Sequence, residues 1–243
     1  MSLEYRSEEI QNIESAENNV QMASITPYYT YILLACIVVV TITQFATNLN
    51  ESILLAGFDK PAFIMNHEYW RILTGGALHA DISHILFNGY ALFSFGKTME
   101  FLTSRANIAI VFLISVIGGG LMSLAFNPGG ISVGASGGIV GLIGYLAVYG
   151  FRRRQIISAQ FLKSILINIG VIAVFGLILS RVDNFGHLGG LLAGAIYGFF
   201  EVPKDVYKNP RETGSITEIF GLIALGIFIA VSIFSILLIL RVV

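Results

Sequence analysis

The sequence has few charged residues and a single cysteine, and each scarcity excludes a class of protein. Only 12% of its 243 residues are charged, whereas a soluble domain carries about 25%, so the composition excludes an ordinary soluble protein. The single cysteine, Cys36, excludes an intramolecular disulfide and a metal site built from several cysteines. The formal net charge is -1, so no basic surface indicates a nucleic-acid partner.

Apolar residues and glycine are abundant instead. Hydrophobic residues make up 55% of the chain, and glycine contributes 26 of its 243 residues, which is typical of helices that pack closely in a lipid bilayer. The first apolar run starts near Tyr28, too far along the chain and after too acidic a stretch for a cleaved signal peptide. We expect residues 1–27 to form an acidic cytoplasmic tail.

Seven apolar segments predict transmembrane helices, because a helix needs about 20 mostly apolar residues to cross the bilayer. They lie at approximately 28–46, 81–97, 106–126, 135–151, 161–180, 185–201 and 218–240. The sequence therefore predicts an all-α polytopic helical bundle with seven transmembrane helices. We divide it into a six-helix core at 28–201, a cytoplasmic linker at 202–217 and an additional helix at 218–243.

The basic residues of the loops predict the orientation of these helices. With the N-terminus in the cytoplasm, ten Lys or Arg residues fall inside and four fall outside. The polar candidates for a site then lie at a similar depth near the outer face: His79, His84, Asn88, Ser136 and His187. We expect the protein in the cell membrane, with its site opening to the outside.

Ser136 and His187 have the chemistry of a nucleophile and its base. Ser136 stands between Gly134 and Gly137, which let a substrate backbone approach, and the start of its helix offers free N–H groups for an oxyanion. The His187 segment has glycine at every fourth position, so its helix can pack closely on the glycine-rich helix of Ser136. The alternatives are an incidental serine in a packing motif and a histidine hydrogen-bonded between helices.

His84 and Asn88 are spaced i, i+4 and share one face of the second predicted helix. Both side chains can donate hydrogen bonds, as an oxyanion hole requires. His79 faces elsewhere and is predicted to brace a loop. Asp81 is predicted to cap the helix at its N-terminus.

Two other site chemistries are open. Asp183 precedes His187 by one turn and could complete a triad, although aspartate at such a position more often caps a helix, so we favour a dyad. His79, His84 and His187 could bind zinc, but nothing supplies the usual supporting carboxylate at that depth. We therefore expect no metal ion and no cofactor.

Four motifs follow one another along roughly residues 28–200. They read Glu68-x-Trp70-Arg71, His79-x4-His84-x3-Asn88, Gly134-x-Ser136-Gly137 and His187-x-Gly189-Gly190-x3-Gly194. In this order, on these helices, they resemble the rhomboid family of intramembrane serine proteases.

The resemblance implies that Ser136 is the nucleophile and His187 the base, without a third acidic member. It also implies that His84 and Asn88 stabilise the oxyanion. Trp70 and Arg71 would belong to a membrane-embedded first loop that shapes the core, and an interfacial aromatic anchor beside a basic residue is the alternative. We interpret both as structural.

Two features bear on this resemblance. The family often has an aromatic residue four positions after the serine, where this chain has Val140, so something else must hold the His187 ring. The predicted helix at 218–240 resembles the six-plus-one arrangement found in part of the family.

We expect a serine endopeptidase that cleaves transmembrane segments of other membrane proteins near the outer face. Its partners would be those substrates and the lipid bilayer, with no nucleic acid and no nucleotide. One alternative is an inactive family member that binds and escorts membrane proteins. Another is a transporter or channel with a histidine proton path, although the sequence shows no repeated halves.

Overall fold

The computed structural model describes residues 26–179 and 182–243. Within these residues the chain forms ten α-helices: α1 (Tyr28–Ala46), α2 (Leu49–Ala56), α3 (Lys60–Met65), α4 (Arg71–Thr74), α5 (Ile82–Leu102), α6 (Arg105–Phe126), α7 (Ser136–Arg152), α8 (Ala159–Ile178), α9 (Asn184–Glu201) and α10 (Ser215–Ile239). The predicted tail at 1–27 lies outside the described residues except for its last two positions. Arg181, one of the basic residues counted for the orientation, also lies outside them.

The predicted all-α membrane bundle is confirmed, and each of the seven predicted segments overlaps one long helix, α1 or one of α5 to α10. Four of these, α1, α6, α8 and α10, are long and apolar enough to cross a membrane. The other three, α5, α7 and α9, carry His84, Asn88, Ser136 and His187 and many of the glycines, whereas His79 lies just before α5. The count of seven spans, the six-helix core and the linker remain predictions.

Two helices extend beyond the predicted apolar runs because carboxylates are satisfied at their polar ends. α5 continues past residue 97, and its buried Glu100 accepts hydrogen bonds from the backbone and hydroxyl of Thr30 at 2.7 Å each. α10 begins before residue 218, with Glu218 in its first turn accepting a hydrogen bond of 2.6 Å from Ser104. Glu100 lies at the N-terminus of α1, and Glu218 lies at the N-terminus of α10 itself. Free N–H groups and the helix dipole favour negative charge at such positions.

Helix α7 lies at the centre of the bundle and packs on α6 and α9. The close approach of α7 and α9 depends on glycine, as the sequence predicted. A β-carbon at Gly190 would lie 2.9 Å from the carbonyl carbon of Gly137, and one at Gly194 would lie 2.8 Å from the Cα of Gly141. The two backbones are therefore in direct contact at the level of the site.

The segment between α1 and α5 contains α2, α3, α4 and a 3₁₀ turn at Gly75–Ala77. Its strand β1 (Phe58–Asp59) pairs in an antiparallel ribbon with β2 (Ile131–Ser132), with Phe58 opposite Ser132. This ribbon joins the first loop to the chain that enters α7. The sequence did not predict it.

Candidate active site

Ser136 is the first residue of α7, and the turn before it requires glycine. Gly134 has a φ of +129°, a conformation that side chains rarely adopt, and its N–H donates to the carbonyl of Gly75 at 2.9 Å. A β-carbon at Gly134 would lie only 2.7 Å from Cε1 of His84. This turn places Ser136 where the first N–H groups of α7 have no partner within the helix.

His187 lies in the first turn of α9. Asp183 caps that helix, as predicted, because its side chain accepts from the N–H of Gly186 at 2.9 Å. The N–H of His187 donates to the carbonyl of Asp183 at 2.9 Å. The ring nitrogen Nδ1 of His187 is buried, and among the described residues it has no hydrogen-bond partner.

Ser136 and His187 line one cleft, which also reaches Gly137, Ser132 and Asp183. Its volume is about 50 Å³, and a water molecule requires roughly 10–15 Å³. The packing of α6, α7 and α9 at glycine positions places the two residues at the walls of this space. The cleft thus combines a hydroxyl, an imidazole and room for water.

His84 presents a hydrogen-bond donor to the same turn. Its Nδ1 accepts from the N–H of Ala80 at 3.4 Å, so the proton of the neutral ring is on Nε2. Nε2 would lie 2.8 Å from a β-carbon at Gly134, and Oγ of Ser136 lies 3.7 Å from that same point. The Nε2–H of His84 and the hydroxyl of Ser136 therefore both lie beside the Gly134 turn.

Asn88 lies one turn further along α5. Its Nδ2 donates to the carbonyl of His84 at 3.0 Å, and the residue is buried. The side-chain amide of Asn88 thus bonds within α5, and this contact does not bring it to the serine hydroxyl.

His79 is fully buried against α1. Its ring atom Nδ1 shares a hydrogen bond of 3.0 Å with the hydroxyl of Thr41. Its backbone N–H donates to Oε1 of Gln44 at 2.9 Å. Burial, together with the nearby His84, lowers the pKa of His79 to about 3, so the ring is neutral at physiological pH. Its ring meets that of His84 edge to face, with 5.1 Å between centroids, and so supports it.

Trp70 and Arg71 join parts of the first loop to one another and to α10. The guanidinium of Arg71 donates to the carbonyls of Leu54 at 3.1 Å and Gly57 at 2.9 Å and pairs with Glu68. It also stacks on Trp70, 4.6 Å from the ring centroid, and Trp70 meets Phe234 edge to face at 5.4 Å. These contacts belong to the scaffold around the cleft.

Val140 stands where an aromatic residue could hold the His187 ring, and the part of α9 that carries His187 packs against α6. Val140 is buried one turn after Ser136. A β-carbon at Gly189, two residues after His187, would lie 2.7 Å from Cβ of Met122, and one at Gly118 would lie 3.2 Å from the carbonyl of Gly189. The backbone that carries His187 is therefore held by tight packing against α6.

Comparison with known proteins identifies the family of the chain. The family model named Rhomboid domain matches residues 66–204, which include both histidine motifs and the serine motif. The chain belongs to the rhomboid family. As a rhomboid protein with several apolar helices, it is an integral, multi-pass membrane protein.

Three relatives illustrate the match. RHOMBOID-like protein 1 of Arabidopsis thaliana is 33% identical over 171 residues, which cover 65% of this chain and 42% of that protein. Rhomboid protease GluP of Bacillus subtilis (strain 168) is 34% identical over 176 residues, covering 69% and 34%. Putative rhomboid protease YdcA of the same organism is 31% identical over 142 residues, covering 58% and 71%. The chain thus spans less than half the length of the first two.

The rhomboid motifs did not point to one polar group beside the cleft. Lys60, in the first loop, is fully buried and donates to the hydroxyl of Ser132, which lines the cleft. A lysine between Asp59 and Pro61 in a predicted outer loop gave no such signal. Its partners lie far along the chain, and only the fold brings them together.

Proposed function

We propose that this rhomboid protein is an intramembrane serine endopeptidase that cleaves transmembrane segments of other membrane proteins. The observation that carries the proposal is the shared cleft of Ser136 and His187, each in the first turn of a helix. The family membership and the protease names of two relatives support it.

The reaction follows from the chemistry of these side chains. Oγ of Ser136 attacks the carbonyl carbon of the scissile peptide while His187 accepts the hydroxyl proton. The C–N bond then breaks, the proton passes to the leaving amine, and an acyl-enzyme remains. Water enters the cleft, gives a proton to His187 and attacks the carbonyl carbon of the ester. The bond to Oγ breaks, the carboxylic acid product leaves, and His187 returns the proton to Ser136.

Two sources of hydrogen bonds support stabilisation of the oxyanion. The free N–H groups at the start of α7 surround Ser136. The Nε2–H of His84 approaches the same turn from α5. In this proposal Asn88 contributes by holding the carbonyl of His84 and thus the first part of α5.

A two-residue mechanism fits the contacts of Asp183. Both oxygens of its carboxylate are already engaged, one by the N–H of Gly186 and the other by the hydroxyls of Ser123 and Ser132. His187 contacts the Asp183 backbone rather than its carboxylate. We therefore assign no third acidic member.

We also propose that the protein lies in the cell membrane with its N-terminus in the cytoplasm and its cleft opening to the outside. Cleavage would then occur near the outer face. The excess of basic residues in the loops assigned to the cytoplasm supports this orientation.

The test is cleavage of a model transmembrane substrate by purified protein in detergent. We expect cleavage and fluorophosphonate labelling by the wild type, and loss of both in Ser136→Ala. Ser235→Ala is the matched control, because that hydroxyl is buried and, among the described residues, bonds only to the Val231 carbonyl within α10. Retained cleavage by Ser136→Ala contradicts the mechanism, and an inert wild type that still binds substrates indicates the escort function.

A further inference from the structure

A buried lysine connects the first loop to both sides of the cleft. Lys60 begins α3 and is 0% exposed. Its Nζ donates to Oγ of Ser132 at 2.9 Å and lies 4.0 Å from Oδ2 of Asp183. One ammonium group of the first loop thus contacts the strand that enters α7 and the cap of α9.

The partners of Lys60 are also bonded to each other. Oγ of Ser132 donates to Oδ2 of Asp183 at 2.6 Å, and the hydroxyl of Ser123 at the end of α6 donates to the same oxygen. The other oxygen, Oδ1, accepts from the N–H of Gly186. We call Lys60, Ser132, Asp183 and Ser123 the lysine cluster.

The charges in the lysine cluster support each other. Burial raises the pKa of the Asp183 carboxyl, but the hydrogen bonds from Ser123, Ser132 and Gly186 and the charge of Lys60 outweigh burial and lower it overall. Burial lowers the pKa of the Lys60 ammonium, and the carboxylate of Asp183 opposes that effect. Removing Asp183 would leave the fully buried ammonium of Lys60 without its counter-ion, which is costly.

Two members of the lysine cluster lie at the same short distance along the chain from the two site residues. Ser132 stands four residues before Ser136, and Asp183 stands four residues before His187. Ser132 leads through the Gly134 turn into α7, and Asp183 accepts hydrogen bonds directly in the first turn of α9. A displacement of either member is therefore passed to the corresponding site residue over a short, hydrogen-bonded segment.

We propose that Lys60 is a positioning residue that sets the placement of Ser136 relative to His187 through Ser132 and Asp183. This inference rests on the proposed protease function. Lys60 contacts no reacting atom, and its effect is on the geometry of proton transfer from the serine to the histidine.

The experiment compares Lys60→Met with the wild type in cleavage and in fluorophosphonate labelling. Methionine keeps an apolar stem of similar length and removes the ammonium group. We expect kcat and the rate constant of labelling to fall together by about 10- to 100-fold, with KM little changed, because small misplacements of reacting groups have effects of this size. Lys163→Met, an exposed lysine of α8, is the matched control and should retain wild-type values.

The final extent of labelling separates positioning from folding. It counts the folded sites, whereas the rate constant reports their geometry. A merely structural role predicts fewer labelled molecules that react at the wild-type rate, and this result would overturn the proposal. If Lys60→Met does not fold, Ser132→Ala decides, since it removes the bridging hydroxyl without removing a charge, and its labelling rate should fall by about 3- to 10-fold.

The outcomes also separate this inference from the proposed function. If the wild type cleaves and Ser136→Ala does not, while Lys60→Met and Ser132→Ala react at the wild-type rate, only the positioning role fails. If the wild type neither cleaves nor labels, the protease function fails and the positioning role fails with it.

Discussion

At the scale of single residues, Gly134 has little freedom to change, for two reasons. Its φ of +129° disfavours any side chain, and a β-carbon would come within 2.8 Å of both Cε1 and Nε2 of His84. We expect Gly134→Ala to displace either the turn before Ser136 or the donor on His84, and to lower kcat by about 10-fold or more. Cleavage of the model substrate measures this effect.

Gly129 provides the control for that substitution. It lies in the same connection between α6 and α7, but a β-carbon there would meet nothing within 4 Å and its φ is not in the left-handed region. Gly129→Ala should therefore cleave at the wild-type rate. Equal activity of the two variants would mean that the Gly134 turn does not govern the reaction.

The residues differ in how far the sequence could predict them. Ser136, His187 and His84 were predicted as a group because their helices place them at one depth, and the structure brings them to one region. Lys60 was not predicted, since Ser132 lies 72 residues away and their contact depends on the ribbon of β1 and β2. Strands of two residues have no alternating pattern that a sequence could display.

At the scale of elements, the contact of α7 with α9 sets the width of the cleft. A β-carbon at Gly194 would lie 2.8 Å from the Cα of Gly141, whereas one at Gly170 of α8 would meet nothing within 4 Å. Alanine is favoured over glycine in a helix by about 1 kcal/mol. We expect Gly170→Ala to keep or raise the melting temperature, and Gly194→Ala to lower both the melting temperature and the rate of fluorophosphonate labelling.

Thermal unfolding in detergent and labelling kinetics check this pair of variants. The physical reason for a lower rate is that α9 must move away from α7 and carry His187 with it. If Gly194→Ala is as stable and as reactive as Gly170→Ala, the backbone contact is not what holds the histidine.

The boundaries of the elements show what an apolar run can and cannot predict. Apolar length predicted the bounds of α1, α6 and α8 to within about two residues at each end. It ended α5 too early and began α10 too late, since Glu100 and Glu218 are accommodated by partners on other helices. The elements of the first loop are short, and tertiary hydrogen bonds such as those of Arg71 define them.

At the scale of the whole molecule, the distribution of apolar surface matches a lipid environment. Large apolar side chains are exposed along α8 and α10, including Leu177 at 84% and Ile216 at 71%, and such surfaces are rare on soluble proteins. The polar groups of the cleft, in contrast, lie between the central helices. The bundle thus keeps its polar chemistry inside and exposes apolar side chains to the bilayer.

The orientation of the protein in the membrane can be tested with introduced cysteines, because the chain has only one cysteine of its own. In a Cys36→Ala background, Gly129→Cys places a thiol in the connection from α6 to β2, and Gln155→Cys places one in the turn between α7 and α8. With ten Lys or Arg residues assigned inside against four outside, basic loops should be cytoplasmic. A membrane-impermeant maleimide should therefore label Gly129→Cys in intact cells and label Gln155→Cys only after the cells are opened. The reverse pattern would place the cleft on the cytoplasmic side and require substrates to be cleaved near the inner face.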